Sequence, residues 1–267
     1  MLEFTKMSGS GNDFLVIDNR AGAVKAGTEA DFARRVCPRG PAVGADGVLL
    51  LEKSAKADFR MRIINADGSE AEMCGNGARC IAVFAHAIGA AGKEMSFETL
   101  AGIIRGYITP NGSKVQLTDA ARPRAEKDVP FCGLTKDIYF TNTGVPHAVL
   151  PVDDLEKVQV VEWGRAIRRH ERFAPAGTNA NFIAREGDGI AVRTYERGVE
   201  DETLACGTGS TASALAAHVL WNLPSPNADR TRGGTILNIH FKAEGSLMTG
   251  VHLEGPAEIV YYGKLPG

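Results

Sequence analysis

Two glycine-rich motifs that each begin with a cysteine carry the strongest chemical signal in the sequence. Cys74 opens Cys-Gly-Asn-Gly and Cys206 opens Cys-Gly-Thr-Gly, 132 residues further along the chain. At the same spacing His86 coincides with His218, each twelve residues after its cysteine. A match at a fixed spacing is the signature of a repeated structural unit. We therefore interpret the chain as two copies of one unit, each containing one cysteine motif.

The residues after each cysteine are typical of a buried helix. Residues 75–88 and 207–220 are rich in alanine and apolar on nearly all sides, as helices inside a fold usually are. Each cysteine would then lie at a helix N-terminus, where backbone N–H groups and the helix dipole lower the pKa of a thiol. The glycines let backbone donors approach a ligand closely, so each turn could also bind a carboxylate.

Two such turns on either side of one carboxylate could invert the neighbouring stereocentre. A thiolate would remove the proton from the carbon next to the carboxylate, and a thiol on the opposite face would return one. The helix N-termini would stabilise the enolate-like oxygens, so this chemistry requires neither a metal nor pyridoxal. The alternative is that both cysteines are small buried apolar residues beside tight turns. Their matched positions in the repeat favour the catalytic interpretation.

Composition excludes several other classes of protein. The 267 residues include 30 basic and 32 acidic side chains and no run of about five like charges, so we expect no nucleic-acid partner. No apolar run reaches the ~18 residues of a membrane span, and residues 1–18 lack a signal-peptide core. We therefore expect a cytoplasmic protein without a membrane partner. Five cysteines without a Cys-x-x-Cys pair fit neither a disulfide framework nor a zinc site, so we expect Cys37, Cys80 and Cys132 to serve packing.

The remaining chain is predicted to form short strands separated by glycine-rich turns. Compact or alternating apolar runs predict strands at 14–18, 47–52, 59–63, 103–108, 114–117, 138–142, 147–151, 182–185, 190–196, 236–241, 247–253 and 258–262. Further helices are predicted at 155–169 and from the N-cap Thr28 to residue 36, and 120–130 is the candidate linker. This pattern predicts an α+β (mixed α/β) fold. Its two pseudo-twofold-related lobes would each curl a sheet around a buried helix, with the active site in the cleft between them.

Five motifs resemble those of the diaminopimelate epimerase family, which are amino-acid epimerases that need no cofactor. They are Gly-Ser-Gly-Asn-Asp-Phe at 9–14, Asn-Ala-Asp-Gly-Ser-Glu at 65–70, Met-Cys-Gly-Asn-Gly-Ala-Arg-Cys at 73–80, Tyr-Glu-Arg-Gly at 195–198 and Ala-Cys-Gly-Thr-Gly at 205–209. The similarity extends from residue 6 to residue 257 in the family's order. Asn76 stands where the related proline racemases typically have His, and therefore favours the diaminopimelate branch.

The resemblance implies an enzyme that interconverts LL- and meso-diaminopimelate in lysine and peptidoglycan biosynthesis. It implies that Cys74 and Cys206 are the acid/base pair, that no cofactor or metal takes part, and that the protein is a homodimer. It also implies that the last strand returns to the first lobe. We accordingly place the N-terminal lobe at 1–119 plus 256–267 and the C-terminal lobe at 120–255.

The resemblance also assigns residues to the reacting end of the amino-acid substrate. Asn12 would help to hold this end. The backbone around the first turns of the two cysteine helices would assist it, at Gly75, Asn76, Gly207 and Thr208.

A second group of residues would bind the distal end of the substrate. By the resemblance, Arg197 binds the distal carboxylate, for which its planar guanidinium is suited, and Glu196 lies at the amine side. Asn65 and Asn179 would assist, and His147 would be an active-site neighbour that, like Glu196, supports the reaction. Without the resemblance, a solvated ion pair is the default interpretation of Glu196 and Arg197, and His147 could equally be an ordinary partly buried histidine.

Two positions depart from the family pattern and leave alternatives open. Val145 replaces an Asn that contacts the distal end of the substrate, and Gly47 replaces a ligand-contacting Gln, although Asn142 could supply an amide nearby. A racemase of another amino acid on the same fold is therefore the nearest alternative. A cysteine hydrolase with His147 as base, and a binding protein that uses the helix N-termini as an anion clamp, are further alternatives. The duplicated cysteine favours the epimerase over the hydrolase.

Overall fold

A computed structural model describes residues 1–266 of the chain, and its fold is the mixed α/β class predicted from the sequence. The chain divides into two compact units. The first unit comprises Met1–Gln116 and the segment from Glu254 onward, and the second comprises Leu117–Leu253. Gly267, which the predicted N-terminal lobe includes, lies outside the described residues. Within those residues, no helix combines the length and apolar character needed to cross a bilayer.

The first unit contains nine strands and two helices. The helices are α1 (Glu29–Val36) and α2 (Gly75–Ala87), and α1 begins after Thr28 as predicted. The strands are β1 (Leu2–Gly9), β2 (Asn12–Asp18), β3 (Gly47–Glu52), β4 (Phe59–Asn65), β5 (Glu70–Ala71), β6 (Glu94–Thr99), β7 (Gly102–Thr109), β8 (Gly112–Gln116) and β19 (Glu258–Leu265). They pair in the order β19–β1–β2–β3–β4–β6–β7–β8, with β5 added to β4. The pairs β2–β3 and β4–β6 are parallel, and the other pairs are antiparallel.

The second unit contains ten strands and two further α-helices, α3 (Val160–Arg168) and α4 (Gly207–Trp221). The strands are β9 (Ala120–Ala121), β10 (Arg124–Phe131), β11 (Leu134–Asn142), β12 (Pro146–Pro151), β13 (Asn179–Glu186), β14 (Gly189–Glu196), β15 (Asp201–Thr203), β16 (Asn227–Arg230), β17 (Ile236–Glu244) and β18 (Leu247–Gly255). Seven of them pair in the order β10–β11–β12–β13–β14–β16–β17, with β15 added to β14. Here β12–β13 and β14–β16 are the parallel pairs.

The two units repeat one arrangement, which confirms the predicted duplication. In each unit a peripheral helix joins the strands of the first parallel pair, and a short strand precedes the long central helix. Even a detail at the helix end is repeated. His86 Nδ1 lies 3.4 Å from the Ala91 carbonyl oxygen, and His218 Nδ1 lies 2.8 Å from that of Leu223. Both histidines therefore connect the end of their helix to the segment that follows it.

Each sheet is covered on both faces, and the central helices α2 and α4 are buried as their apolar sequences predict. Every residue of α4 from Gly209 to Ala217 is buried. On the other face, Phe32 of α1 packs with Leu15 and Leu50 in the first unit, and α3 covers Phe182 in the second. Burial of this apolar surface, at about 25 cal/mol per Å², drives the sheets to close around their helices.

The predicted linker at 120–130 is wrong, because most of that segment is strand. β10 pairs along its length with β11, yet most of its side chains are exposed. Because these side chains are largely charged, no apolar pattern indicates the strand. The predicted helix at 155–169 divides into a 3-10 turn (Leu155–Lys157) and α3. The Asp154 side chain accepts a hydrogen bond from the Glu156 N–H at 3.0 Å and so begins the 3-10 turn.

Candidate active site

Cys74 and Cys206 occupy the N-cap positions of α2 and α4. Both have an extended backbone, with φ −142° and ψ 119° at Cys74 and φ −128° and ψ 110° at Cys206. In each case the cysteine carbonyl accepts the first helical hydrogen bond at 2.8 Å, from the N–H of Ala78 or Ser210. The N–H groups before that bond have no carbonyl to meet within the helix. Both half-buried cysteines therefore lie beside backbone donors and the positive end of a buried helix.

In the first unit, a chain of hydrogen bonds orients Asn12 and Asn76. Arg79 Nη2 donates to Asn76 Oδ1 at 2.9 Å, and Asn76 Nδ2 donates to Asn12 Oδ1 at 2.6 Å. Asn12 Nδ2 in turn donates to Asp46 Oδ2 at 2.9 Å. Each of the two amide oxygens thus accepts one of these hydrogen bonds, and each NH₂ group retains a second N–H for a ligand. No sequence pattern predicts a role for Asp46 in this network, whereas Arg79 lies inside the cysteine motif at 73–80.

Arg79 is a fully buried cation behind the first turn of α2. Its guanidinium donates to Ser10 Oγ at 2.7 Å, and to the carbonyl oxygens of Gly75 at 3.3 Å and Pro256 at 3.4 Å. Burial lowers the pKa of Arg79 to about 10, and the nearby sulfur groups of Cys80 and Cys74 oppose this shift. A guanidinium so placed favours negative charge at Cys74.

Acidic and basic side chains hold the outer part of this network. Arg39 Nη2 contacts Asp13 Oδ1 at 2.5 Å and Asp46 Oδ1 at 2.8 Å, and Lys6 Nζ contacts Asp13 Oδ2 at 2.5 Å. Burial alone would raise the pKa of Asp13, but the hydrogen bonds from Arg39 and Lys6 outweigh it and lower the pKa to about 2. Asp13 is therefore ionised near neutral pH and keeps the two cations in place.

Asn65, another predicted site residue, lies at the exposed end of β4. Its Nδ2 donates to Ser69 Oγ at 3.0 Å, and it pairs with Gly47 in the strand register. A side chain at Gly47 would begin 2.8 Å from the Ile64 carbonyl oxygen. The close approach of β4 therefore accounts for a glycine at this position.

In the second unit, the first turn of α4 is held tightly around Cys206. The Cys206 sulfur lies 3.6 Å from Thr208 Oγ1, and Thr143 Oγ1 donates to the Thr208 carbonyl oxygen at 3.0 Å. A Cβ on Gly209 would lie 3.2 Å from the Cys206 sulfur and 2.6 Å from Asn181 Oδ1. Only glycine fits between the thiol and this amide.

Asn179 connects the end of β14 to the residues before His147. Its Oδ1 accepts from the Arg197 N–H at 2.8 Å, and its Nδ2 donates to the Pro146 carbonyl oxygen at 3.1 Å. The Arg197 guanidinium donates to the Ala176 carbonyl oxygen at 3.0 Å and meets no carboxylate within residues 1–266. It therefore retains donors for a ligand carboxylate.

Glu196 is half-buried and forms no ion pair with Arg197 in the described part of the chain, so the solvated pair is not found there. Burial raises the pKa of Glu196. A carboxyl group with a raised pKa can exchange a proton closer to neutral pH than an exposed one can, which is typical of functional sites.

His147 is fully buried, not partly buried as the alternative interpretation held. Burial lowers its pKa to about 3, the charge of Arg197 lowers it further, and a hydrogen bond with Asn181 opposes the shift. The imidazole is therefore neutral across the physiological pH range. Sequence reasoning missed its partner Asn181, because that side chain comes from a neighbouring strand distant in the chain.

The remaining cysteines divide into two buried thiols and one exposed thiol. Burial raises the pKa of Cys37 to about 11 and that of Cys80 to about 12, as expected for packing residues. The packing prediction is wrong for Cys132, which is exposed in a turn with φ 46°. Across residues 1–266, no three His, Cys, Asp or Glu side chains converge in a way that could hold a metal ion.

The turn before β12 contains Asn142 and Val145, which the family resemblance relates to the distal end of the substrate. Asn142 is exposed, and its Oδ1 accepts from the Gly144 N–H at 3.0 Å, so this amide helps to form the turn. Val145 follows with its side chain half-buried. The Asn142 amide therefore has one structural duty already, and its NH₂ group is the part that a ligand could use.

Comparison with known proteins identifies the family. The chain matches the family described as diaminopimelate epimerase over residues 4–123 and 139–260. A diaminopimelate epimerase from Aquifex aeolicus is 45% identical over 99% of this chain and 98% of that protein. One from Methanocella arvoryzae is 43% identical over 99% of this chain and 96% of that protein.

A solved structure shares the fold at low sequence identity. The PhzF-family phenazine biosynthesis protein from Bacillus anthracis has a TM-score of 0.74 and 16% identity, covering 99% of both chains. That likeness concerns the fold alone. The family match and the two relatives concern nearly the whole sequence, and the chain therefore belongs to the diaminopimelate epimerase family of isomerases.

Proposed function

We propose that this protein interconverts LL- and meso-diaminopimelate by moving one α-proton between Cys74 and Cys206. The observation that carries the proposal is the duplicated placement of a cysteine at the N-cap of a buried helix, once in each unit. Membership of the family supports the substrate, and the role in lysine and peptidoglycan biosynthesis follows from that substrate.

The reaction requires one thiolate and one thiol. The thiolate takes the α-proton, and the electron pair of the C–H bond moves into the neighbouring carboxylate. The opposite thiol then donates its proton to the other face of the carbon, which inverts the configuration and exchanges the protonation states of the two cysteines. N–H groups at the first turns of α2 and α4 would stabilise the negative charge that develops on the carboxylate oxygens.

Amide and backbone N–H groups are the proposed donors to the reacting carboxylate. Asn76 donates one amide N–H to Asn12, and Asn12 donates one to Asp46, so each keeps a second N–H. An N–H donor suits a carboxylate better than an ammonium group. The first turns of the helices add backbone donors at Gly75, Gly207 and Thr208.

The distal end of diaminopimelate carries a second carboxylate and a second ammonium group. Arg197 would bind the carboxylate, because its guanidinium has remaining donors, and Glu196 would lie at the amine side. Asn179 would assist by holding the Arg197 backbone at 2.8 Å, and Asn65 would assist from the first unit. His147 and Glu196 would support the proton transfer from beside the reacting groups.

The hydrolase alternative requires His147 to act as a base, and its burial disfavours that role. A histidine whose pKa burial lowers to about 3 takes up a proton poorly at neutral pH. The racemase alternative differs only in the substrate, because it uses the same pair of thiols. It would place a substrate without a second ammonium–carboxylate end in the site, and Arg197 and Glu196 would then not both have a partner.

We also propose that the enzyme is a cytoplasmic homodimer, as the family resemblance implies. The cysteines support a cytoplasmic location, since none of the five forms a disulfide within residues 1–266. Sedimentation equilibrium at several protein concentrations tests the dimer. A mass of twice 28.4 kDa supports it, and a mass of 28.4 kDa at all concentrations contradicts it.

Turnover of a substrate panel tests the proposed function. The kcat/KM for LL-diaminopimelate should exceed that for lysine, glutamate and histidine by at least about 10³-fold, because only diaminopimelate carries both the distal carboxylate that Arg197 would bind and the distal ammonium group that Glu196 would bind. Arg197→Gln should remove most of this preference. A higher kcat/KM for any of the three other amino acids would support the racemase alternative and reject diaminopimelate as the substrate.

A further inference from the structure

A buried polar triad lies beneath α4 in the second unit. We use this name for His147, Asn181 and Thr194, which come from β12, β13 and β14. Asn181 and Thr194 are partners in the strand register, and the exposed fractions of the three side chains are 0%, 0% and 4%. Val149, Ile183 and Val192 lie two residues from the triad residues along the same strands, on the same face of the sheet, and pack against α4. The triad therefore belongs to the face of the sheet that supports the helix of Cys206.

The first unit has apolar residues at the corresponding positions. Phe14 pairs with the first residue of β3, as His147 pairs with the first residue of β13, and Leu49 pairs with Ile63, as Asn181 pairs with Thr194. A Cβ on Gly77 of α2 would contact Leu49 at 3.2 Å and Phe14 at 3.6 Å.

The corresponding Cβ on Gly209 of α4 would contact the Asn181 amide at 2.6 Å. Apolar side chains thus suffice to support a central helix in this fold. The polar groups of the triad therefore have a purpose other than packing, since a buried polar group costs more than a buried apolar one.

The hydrogen bonds of Asn181 fix the orientation of its amide. Its Nδ2 donates to the Ala148 carbonyl oxygen at 3.2 Å, and a carbonyl oxygen can only accept. Thr194 Oγ1 donates to the other end of the amide, Asn181 Oδ1, at 2.9 Å. The second N–H of the amide then meets His147 Nδ1 at 3.1 Å. Asn181 is therefore the donor in its contact with His147.

This contact determines which nitrogen of His147 carries the proton. Because Nδ1 accepts a hydrogen bond, the single proton of the neutral imidazole lies on Nε2. Nε2 is buried and has no hydrogen-bond partner within residues 1–266. An unsatisfied buried donor is rare in folded proteins and calls for an acceptor that is absent from the resting structure.

We propose that Asn181 is a positioning residue that holds His147 as the Nε2–H tautomer, so that His147 donates a hydrogen bond to an anion formed or bound at the N-terminus of α4. Two sources of that anion have the required chemistry, namely the Cys206 thiolate and a carboxylate of the substrate. Asn181 Oδ1 and the Cys206 sulfur border the same small space at Gly209, which places the triad against this end of the helix. The inference rests on the proposed function, because the two-thiol reaction is what generates an anion there.

Nitrogen NMR of the whole protein labelled with ¹⁵N-histidine reads the tautomer directly. The His147 signals are assigned by their loss in His147→Gln. We expect a proton bonded to Nε2, an unprotonated Nδ1, and no change between about pH 5 and 8. A proton on Nδ1, or protonation of the ring within this range, would overturn the proposal. This readout needs no turnover, so it stands even if the proposed substrate is wrong, and that separate failure would show as an inactive wild-type enzyme.

Two substitutions at position 181 test the positioning role. Asn181→Asp replaces the donor with an acceptor and should move the His147 proton to Nδ1. Asn181→Leu introduces the side chain that the first unit carries and should leave the tautomer unconstrained. Both should lower kcat by about 10- to 100-fold, as loss of an orienting hydrogen bond does, with KM within about twofold. Thr194→Val, the matched control, retains the shape and the Asn181–His147 contact, so it should keep the Nε2–H tautomer. An Asn181→Asp protein with the wild-type tautomer and kcat would contradict the proposal.

Two further spectra distinguish the sources of the anion. If the Nε2–H signal of Cys206→Ala without substrate differs from that of the wild type, the thiolate is the partner. If it moves only when meso-diaminopimelate is added to Cys206→Ala, the substrate carboxylate is the partner. A signal that moves in neither case would overturn the assignment of His147 as a donor to this site.

Discussion

Buried charge is distributed unequally around the two cysteines. Arg79 lies fully buried in the first turns of α2, whereas Thr211 occupies the corresponding position of α4 and donates to the Gly207 carbonyl oxygen at 2.9 Å. The first unit thus offers a cation to its thiol, and the second offers the hydroxyl of Thr208 and the polar triad. Single residues therefore distinguish two helix ends that the backbone makes alike.

Replacing Arg79 tests the role of this cation. Arg79→Met should lower kcat/KM by about 10²-fold and slow the alkylation of Cys74 by iodoacetamide, because the buried positive charge that favours a thiolate is gone. Arg79→Lys is the matched control, since it keeps the charge and loses only the planar set of donors. An Arg79→Met protein that is folded and alkylated at the wild-type rate would refute the role.

The buried histidine predicts a dependence of stability on pH. The folded state holds His147 neutral, with a pKa that burial lowers to about 3, whereas the unfolded chain takes up a proton below about pH 6.5. The unfolded state therefore binds more protons between these values, and the free energy of unfolding falls as the pH drops from about 6.5. His147→Gln lacks this contribution. Urea unfolding at pH 7 and pH 5 should show a larger loss for the wild type than for the variant, and equal losses would count against a neutral buried imidazole.

At the scale of elements, apolar patterns predicted most strands and both central helices. They did not predict strands whose residues are charged or whose buried residues are polar. Alanine-rich segments made α2 and α4 predictable, because few other contexts tolerate a helix without a polar face. β10 escaped because its outward residues are charged. β16 was not predicted because its buried residues, Asn227 and Asp229, are of polar types that usually lie at the surface. The contacts of the triad were not predicted, because its residues come together only when three strands pair.

β16 also predicts a stabilising substitution. Both carboxyl oxygens of Asp229 are buried without a hydrogen-bond partner in the described structure, and burial raises the pKa of Asp229 well above its usual range. The unfolded carboxyl ionises above about pH 3.9, so the folded state loses stability relative to it as the pH rises. Asp229→Asn should therefore raise the free energy of unfolding at pH 7 by about 1–3 kcal/mol. Asp188→Asn, at an exposed site, is the control and should change little; a destabilised Asp229→Asn protein would contradict the argument.

At the scale of the whole molecule, one duplicated design places a cysteine at the N-cap of a central helix in each unit, and the proposed inversion of a stereocentre requires such a pair. The repeat of the cysteine motifs at a spacing of 132 residues made the pair of half-sites predictable from the sequence. The motifs do not specify the partners that orient them, such as Asp46 and Asn181, because those contacts depend on the packing of strands that are distant in the chain. The two units share their order of strands and differ in the polar groups beneath the helices.

Oxidation tests whether the two thiols serve one site. If both act on a single carbon, peroxide should join them in a disulfide in the absence of substrate, with loss of two thiols and of activity. Reductant should restore both, and bound substrate should protect them. Cys132→Ala serves as the background, since it removes the exposed thiol. Inactivation without loss of a pair of thiols would argue against a shared site.

The transfer of one α-proton between Cys74 and Cys206 is tested most directly by epimerisation in deuterated buffer. We expect the wild type and Cys132→Ala to invert LL-diaminopimelate with uptake of one deuterium at the α-carbon. Cys74→Ala and Cys206→Ala should each lower this turnover by at least about 10²- to 10⁴-fold, because each variant lacks the acid or the base for one face of the carbon. Wild-type turnover in either single variant would contradict the two-thiol account.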